Sequence, residues 1–81
     1  WLFTIITSKK DLLQKKLREK RIETNQVHFR NDKYSIFQNF VKGKKFPNMD
    51  FAEDKYLAIP VHHKVSTQKA KYIADLINKI I

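Results

Sequence analysis

The sequence predicts an α+β domain, an α/β two-layer arrangement in which a small sheet of about three strands packs against two main helices. Two apolar runs rich in β-branched residues, residues 1–7 (WLFTIIT) and 57–61 (LAIPV), are typical of strands. Two other segments, residues 9–20 and 67–81, repeat apolar side chains at helical spacing. Their order gives β-α-β-(short helix)-β-α in a single small domain over residues 1–81.

Composition limits the classes of protein to consider. Hydrophobic residues make up 42% of the 81 residues, which is typical of globular chains. The chain has no cysteine, so disulfides and thiolate chemistry are excluded, and a reducing, cytoplasmic location is expected. No apolar run approaches the roughly 18 residues that span a bilayer. The net charge of +9 would suit nucleic acid, an acidic membrane or phosphorylated ligands.

The first strand and helix follow from the opening residues. Residues 1–7 are apolar on both faces, which predicts a strand that is covered on both sides or buried at a domain junction. Ser8 is the predicted N-cap of the helix that follows. Leu13 and Leu17 lie one turn apart with Leu12 beside them, so these leucines mark the face that packs on the sheet.

The middle of the chain is predicted to contain a second strand and a short helical arm. Residues 22–29 carry strand-forming side chains in a mixed pattern and follow a strand and a helix. Residues 34–41 are predicted to form a short amphipathic helix or turn that packs through its aromatic side chains. Residues 42–45 (KGKK) hold the single glycine of the chain and predict a linker.

The last third predicts a helix, a strand and a second main helix. Asn48 is the predicted N-cap of a helix over residues 49–56. Pro60 lacks an N–H and is therefore placed at a strand end or edge. Ser66 or Thr67 is expected to cap the final helix. The apolar face of that helix is formed by Ala70, Ile73, Leu76, Ile77 and Ile80.

A polar cluster at residues 27–34 (VHFRNDKY) directly follows the second predicted strand. It brings imidazole, guanidinium, amide, carboxylate and ammonium groups together without Gly or Pro, the residues that often mark a plain turn. Polar groups at strand ends are frequent ligand contacts in α/β proteins. From the residues alone, a solvated turn and a ligand-binding loop both stay open.

Other sites have weaker support. His62 and His63 are adjacent, so in extended chain they point to opposite faces and chelate one metal ion poorly. One glycine is too few for a glycine-rich phosphate loop. The basic charge raises RNA binding as an alternative. Phe29, Phe37 and Phe40 lie in apolar patterns, however, and core packing is the expected use of these rings.

The chain resembles the C-terminal domain of the DegT/StrS-type sugar aminotransferases, pyridoxal-phosphate enzymes of the aspartate-aminotransferase fold. The resemblance extends over nearly the whole chain. It rests on WLFTI at residues 1–5, KDLL and LREKRIET within residues 10–24, VHFRNDKYSIF at 27–37, FPN at 46–48 and YLAIPVH at 56–62. The segment 28–37 is its most specific part, although Phe29 stands where the family usually has tyrosine.

The resemblance implies a homodimeric enzyme that transfers an amino group, usually from glutamate, to a keto group of a nucleotide-linked deoxysugar. It also implies that the Schiff-base lysine and most of the cofactor site lie outside this chain, so that the piece is not catalytic alone. Trp1 stands within a predicted strand and is not preceded by Met, which supports the same expectation. The alternative is a free-standing basic α/β module that binds nucleic acid.

By position in the resemblance, the loop after the second strand is expected to face the substrate. Arg30 offers a planar fork of donors for a phosphate or carboxylate. A direct contact of this kind predicts that Arg30→Ala impairs substrate use with little loss of thermal stability. The expected substrate-binding residues are His28, Arg30, Asn31, Lys33 and Tyr34.

Overall fold

In the computed structural model, which describes residues 2–81, a two-stranded antiparallel sheet packs against two helices. The strands are β1 (Phe3–Ile6) and β2 (Tyr56–Ile59). The main helices are α1 (Lys10–Glu19) and α4 (Thr67–Ile80). This arrangement confirms the α+β class. The predicted start of the first strand at Trp1 lies outside the described residues.

Between α1 and β2, the chain forms only short helical elements. Two 3₁₀ turns, Asn31–Lys33 and Ser35–Phe37, lead into the single-turn helix α2 (Gln38–Val41). Helix α3 (Pro47–Ala52) then precedes β2. No helix described in residues 2–81 is long and apolar enough to cross a membrane.

The core lies between the sheet and the two main helices. Leu13 and Leu17 of α1 and Leu57 of β2 are fully buried, and Ile73 and Ile77 of α4 complete the contact. Helical spacing predicted the buried side chains of α1 and α4, and Leu57 lies in the strand that was predicted over residues 57–61. Because β-strand side chains alternate between faces, Leu57 and Ile59 point in the same direction as Ile5, which pairs with Leu57 across the ladder.

The first strand is less covered than predicted. Phe3 is 57% exposed and Ile6 is 60% exposed, so the described chain covers only part of β1. β1 pairs on one side only, with β2, and lies at an edge of the sheet. The apolar run was correctly assigned to a strand, but the described residues do not cover both of its sides, and burial at a domain junction stays a prediction.

The second predicted strand, residues 22–29, is absent. Its only ladder contact is an isolated antiparallel bridge in which the Asn25 N–H donates to the Ala58 carbonyl at 3.1 Å, and the Ala58 N–H donates back at 2.8 Å. β2 therefore lies between β1 and this bridge, where a three-stranded sheet was expected. Because only one residue pairs, the segment does not qualify as a strand.

The end of α1 explains why no strand begins at Ile22. Arg21 adopts a left-handed backbone with φ of 60°, and its N–H donates to the Arg18 carbonyl at 2.9 Å. The Ile22 N–H donates to the Leu17 carbonyl at 2.9 Å, and both side chains are buried in the core. This pattern is a Schellman motif with its usual hydrophobic contact. Ile22 thus completes the helix end and does not begin a strand.

Two predicted N-caps are wrong. The N-cap of α1 is Lys9, without a side-chain cap, and the Lys9 N–H donates to the Thr7 Oγ1 at 3.1 Å, so Ser8 does not cap the helix. Helix α3 begins with Pro47, and Asn48 lies inside it. Proline is favoured in the first helical turn because its missing N–H would have no intrahelical partner there.

The cap of α4 agrees with prediction. Ser66 is the N-cap, and its Oγ accepts a hydrogen bond from the Lys69 N–H at 3.1 Å. We expect Ser66→Ala to lower the free energy of unfolding by about 1 kcal/mol, since one backbone donor loses its partner. Urea denaturation of the full-length protein measures this loss. An unchanged midpoint would show that water replaces the cap at no cost.

Candidate functional site

The polar loop, residues 28–34, is held in place by a buried arginine. Arg30 is only 6% exposed and is the one charged side chain that is buried in the described chain. Its Nε donates to the Asp32 Oδ1 at 2.9 Å and its Nη2 to the Asp32 Oδ2 at 2.6 Å. Its Nη1 donates to the Asp50 Oδ1 at 2.7 Å and to the Glu53 Oε2 at 2.9 Å. Three carboxylates of the same chain therefore engage this guanidinium.

Local backbone geometry brings Asp32 back to Arg30. The 3₁₀ turn Asn31–Lys33 begins directly after Arg30, and the Lys33 N–H donates to the Arg30 carbonyl at 3.2 Å. This turn folds the Asp32 carboxylate onto the guanidinium two residues earlier, in a bidentate, parallel pair of hydrogen bonds. The sequence Arg-Asn-Asp thus forms its own ion pair before any distant residue contributes.

Asp50 and Glu53 reach Arg30 from the other side of the loop. They are three residues apart at α3 and its C-cap, so both carboxylates lie on one helix face. Asp50 remains 64% exposed and Glu53 49% exposed in their side chains, whereas Arg30 is buried between them and Asp32. Their interaction is therefore partly screened by water, and the pair with Asp32 is the most enclosed.

The pKa values follow from these contacts. The hydrogen bonds that Arg30 donates to Asp32 and Asp50 raise the pKa of Arg30 above its already high ordinary value, and burial opposes them only in part. The hydrogen bond from Arg30 lowers the pKa of Asp32 below its usual range. Both groups are thus charged at neutral pH. The cluster of Arg30 with Asp32, Asp50 and Glu53 has three negative charges and one positive charge.

Two further contacts secure the segment before the loop. The Gln26 Nε2 donates to the Glu53 carbonyl at 2.6 Å. The Tyr56 hydroxyl donates to the His28 carbonyl. Hydrogen bonds from the Gln26 and Tyr56 side chains therefore hold this segment, where a strand would have formed a ladder of backbone hydrogen bonds. The result is an ordered segment that leaves the sheet after the bridge at Asn25.

The other predicted site residues lie on the outside of this loop. His28, Asn31, Lys33 and Tyr34 are all exposed. The rings of Tyr34 and Phe29 meet edge to face, with centroids 5.0 Å apart. These four exposed residues therefore differ from Arg30 in the same segment, whose side chain is buried.

Sequence reasoning missed the partners of Arg30. It gave no role at this loop to Asp50, Glu53, Gln26 or Tyr56. One signal was present: two carboxylates at helical spacing, 20 and 23 residues after an arginine that follows an apolar run. Such a pattern is compatible with an internal ion pair. It is equally compatible with carboxylates that interact with the dipole at the start of a helix.

The aromatic residues beyond the loop are exposed, which corrects the expected core packing. Phe29 is 59% exposed, Phe37 41% and Phe40 72%. Residues 34–41 do form short helical turns as predicted, but α2 and the 3₁₀ turns bury no residue. The prediction that these rings pack in the core is therefore wrong for this chain, so it no longer speaks against RNA binding.

The two adjacent histidines are arranged as ordinary surface groups. Their ring centroids lie 6.3 Å apart, and the His62 Nδ1 accepts a hydrogen bond from the Lys64 N–H at 3.2 Å. Over residues 2–81, no group of three or more histidine, cysteine or carboxylate side chains is placed to hold a metal ion.

Comparison with protein families decides the class. A sequence model of the DegT/DnrJ/EryC1/StrS aminotransferase family matches residues 1–78. The chain belongs to this family. A search of curated proteins found no significant match. The match covers nearly all of the chain, so it includes the polar loop and the main helices α1 and α4. It confirms the resemblance that the sequence motifs indicated.

Enzymes of this family are generally dependent on pyridoxal phosphate, whose site needs a Schiff-base lysine, a partner for the ring nitrogen and donors for the phosphate. The described residues do not fit such a site. An open groove of about 820 Å³ beside β2 includes Lys64 and Lys69, but both are exposed, and its one carboxylate is Glu23. We therefore derive no chemical step through the cofactor from this chain.

Proposed function

We propose that this chain is the small C-terminal domain of a sugar aminotransferase and covers the substrate at the active-site cleft. The enzyme would move the amino group of glutamate to the keto carbon of a nucleotide-linked deoxysugar, and glutamate would leave as 2-oxoglutarate. Pyridoxal phosphate, bound mainly by residues outside this chain, would supply the electron sink for that exchange. We further propose a homodimer in the cytoplasm.

The observation that carries the proposal is the polar loop, which Arg30 links to α3, within a chain of this family. Exposed polar residues of this loop, His28, Asn31, Lys33 and Tyr34, lie beside Arg30, whose guanidinium is held by Asp50 and Glu53. An amide such as that of Asn31 pairs with sugar hydroxyls as donor and acceptor, and Lys33 suits a diphosphate. Arg30 itself is proposed to hold the loop through its three carboxylate partners and not to contact the substrate.

Nucleic-acid binding remains the second hypothesis that the charge of +9 suggests. Exposed Phe37 and Phe40 beside the basic residues 42–45 would be compatible with it. Family membership favours the aminotransferase instead, because a nucleotide sugar and pyridoxal phosphate are both anionic and account for a basic surface as well. We therefore propose no nucleic-acid partner and no membrane partner.

Removing the Asn31 amide tests the proposed contact. In the full-length enzyme, with uridine or thymidine diphosphate-linked ketodeoxysugars and glutamate as substrates, we expect Asn31→Ala to lower kcat/KM for the sugar nucleotide about tenfold. The KM for glutamate should stay unchanged. Release of 2-oxoglutarate measures the rate.

Asn78→Ala is the matched control, since Asn78 is an exposed asparagine on α4, away from the loop. It should leave both constants at their wild-type values. Equal kinetics for Asn31→Ala and wild type would exclude Asn31 from the substrate site. A wild-type enzyme that transfers no amino group to any such sugar would contradict the proposed function itself.

A further inference from the structure

Residues 31–46, here named the arm, lie between the buried Arg30 and helix α3, which precedes β2. Within the arm, the 3₁₀ turns and α2 contain no buried residue. Ile36 is 75% exposed and Phe40 72% exposed. The chain is correspondingly elongated, with extents of 47 × 26 × 18 Å and a radius of gyration of 15.5 Å. A compact chain of this length would have about 12 Å.

The arm has little packing of its own that would fix its direction. Its internal hydrogen bonds are local, such as those from the Gln38 Nε2 to the Asp32 and Tyr34 carbonyls at 2.9 and 3.0 Å. Segments with few buried contacts open at low free-energy cost. The orientation of the arm relative to the core must therefore be set where the arm begins and ends.

The Arg30 cluster lies at that position. Arg30 immediately precedes the arm, and Asp50 and Glu53 follow it on α3 and its C-cap. The two hydrogen bonds of the Arg30 Nη1, at 2.7 and 2.9 Å, join residues 20 and 23 positions apart and so close the base of the arm. A guanidinium fork holds several carboxylates in fixed directions, which a single ammonium cannot do.

We infer that Arg30, through Asp50 and Glu53, is a positioning residue that orients the arm and thereby places Asn31, Lys33 and Tyr34 against the substrate. The inference rests on the proposed function, since it concerns the same loop. Arg30 acts through its ion pairs and without touching the substrate. Asp32 contributes separately, because its pair with Arg30 is local and stays within the loop.

The test removes the distant half of the cluster and keeps the local half. In the full-length enzyme, the double variant D50A/E53A leaves Arg30 paired with Asp32 alone. Both substituted side chains are about half exposed or more, so the fold should survive their loss. D54A is the matched control, because Asp54 is a neighbouring exposed carboxylate that pairs with Lys55 and not with Arg30.

Two measurements are made on each variant. Amide hydrogen exchange over residues 31–46 should become faster in D50A/E53A and stay at the wild-type rate in D54A. Kinetics with a uridine or thymidine diphosphate-linked ketodeoxysugar should show a rise in KM for the sugar of about tenfold, the order expected for a displaced contact loop. The KM for glutamate should not change.

The outcomes separate the inference from the proposed function. Wild-type exchange rates over the arm in D50A/E53A would overturn the inference, as would faster exchange together with unchanged sugar kinetics. An equal effect of D54A would also overturn it, because the cause would then be net charge. An enzyme that accepts no nucleotide sugar would refute the proposed function, while exchange over the arm would still decide whether the cluster orients it.

Discussion

Replacing Leu17 with alanine is expected to lower the free energy of unfolding by about 3 kcal/mol, which is typical of a leucine-to-alanine change in a well-packed core. Leu17 is 0% exposed and packs with Leu13 and Leu57, the other fully buried side chains of the described residues. It also receives Ile22 at the end of α1. A small domain has few neighbouring side chains that can move into the cavity. The free energy of unfolding should therefore fall by close to this typical value.

Leu12 provides the matched control on the same helix. It is 45% exposed and outside the core cluster, so Leu12→Ala should cost less than about 1 kcal/mol. Urea denaturation of the full-length protein, followed by a signal from this domain, measures both changes. Equal losses for the two leucines would contradict the assignment of the core face to Leu13 and Leu17.

Arg30→Ala is expected to lower the Tm of the domain by at least about 5 °C, because removal of one partner leaves the others uncompensated. Without the guanidinium, the carboxylates of Asp32, Asp50 and Glu53 face one another with nothing to separate their charges. This expectation replaces the one from sequence alone, in which Arg30 contacts substrate and stability is hardly affected. A lower substrate affinity with an unchanged Tm would restore the direct contact.

The pH dependence of this loss has a definite sign. The pKa of Asp32 is lowered in the folded protein, so its contribution to stability is present above the unfolded pKa, about 3.9, and is lost as pH falls through the folded pKa. The raised pKa of Arg30 keeps the arginine charged over the whole accessible range. The Tm difference between wild type and Arg30→Ala should therefore be constant from about pH 6 to 8 and shrink below about pH 4.

Arg18→Ala is the control for this experiment. Arg18 is an exposed arginine in the last turn of α1. Its removal changes the net charge by the same amount but leaves the Arg30 cluster intact, so the Tm should change little. A similar loss in both variants would mean that overall charge, and not the Arg30 cluster, controls stability.

Helical periodicity was sufficient to predict the core of this fold. Leu13, Leu17, Ile73 and Ile77 repeat at spacings that place them on one face of each helix, and these residues are buried. Local chemistry also predicted a cap at Ser66 or Thr67 and a place for Pro60 at a strand end, although the strand stops at Ile59 and not at Val61. Both depend on interactions within a few residues, and such interactions can be derived from the sequence alone.

The predictions that failed depend on distant partners or on competition between local patterns. Residues 22–29 contain strand formers, but the Schellman motif uses Ile22 and leaves only Asn25 to pair with β2. The exposed rings of Phe37 and Phe40 show that an aromatic pattern does not say which surface covers it. Whether such residues are paired or buried depends on contacts with distant residues, which the sequence alone does not predict.

The candidate site stays a prediction, and its members differ in exposure. The sequence placed five polar groups after an apolar run, and in the structure four of them are exposed whereas the fifth, Arg30, is buried. The burial of Arg30 could not be derived from local spacing, since its partners Asp50 and Glu53 lie 20 and 23 residues away. The family match links this loop to an aminotransferase, which its geometry alone does not indicate.

A structure of the full-length enzyme with a bound nucleotide sugar tests the central claim most directly. The account predicts that the Arg30 guanidinium keeps its hydrogen bonds to Asp32, Asp50 and Glu53, while polar atoms of His28 or Asn31 lie within hydrogen-bonding distance of the sugar nucleotide. Arg30 turned away from α3 and bound to the diphosphate would contradict it.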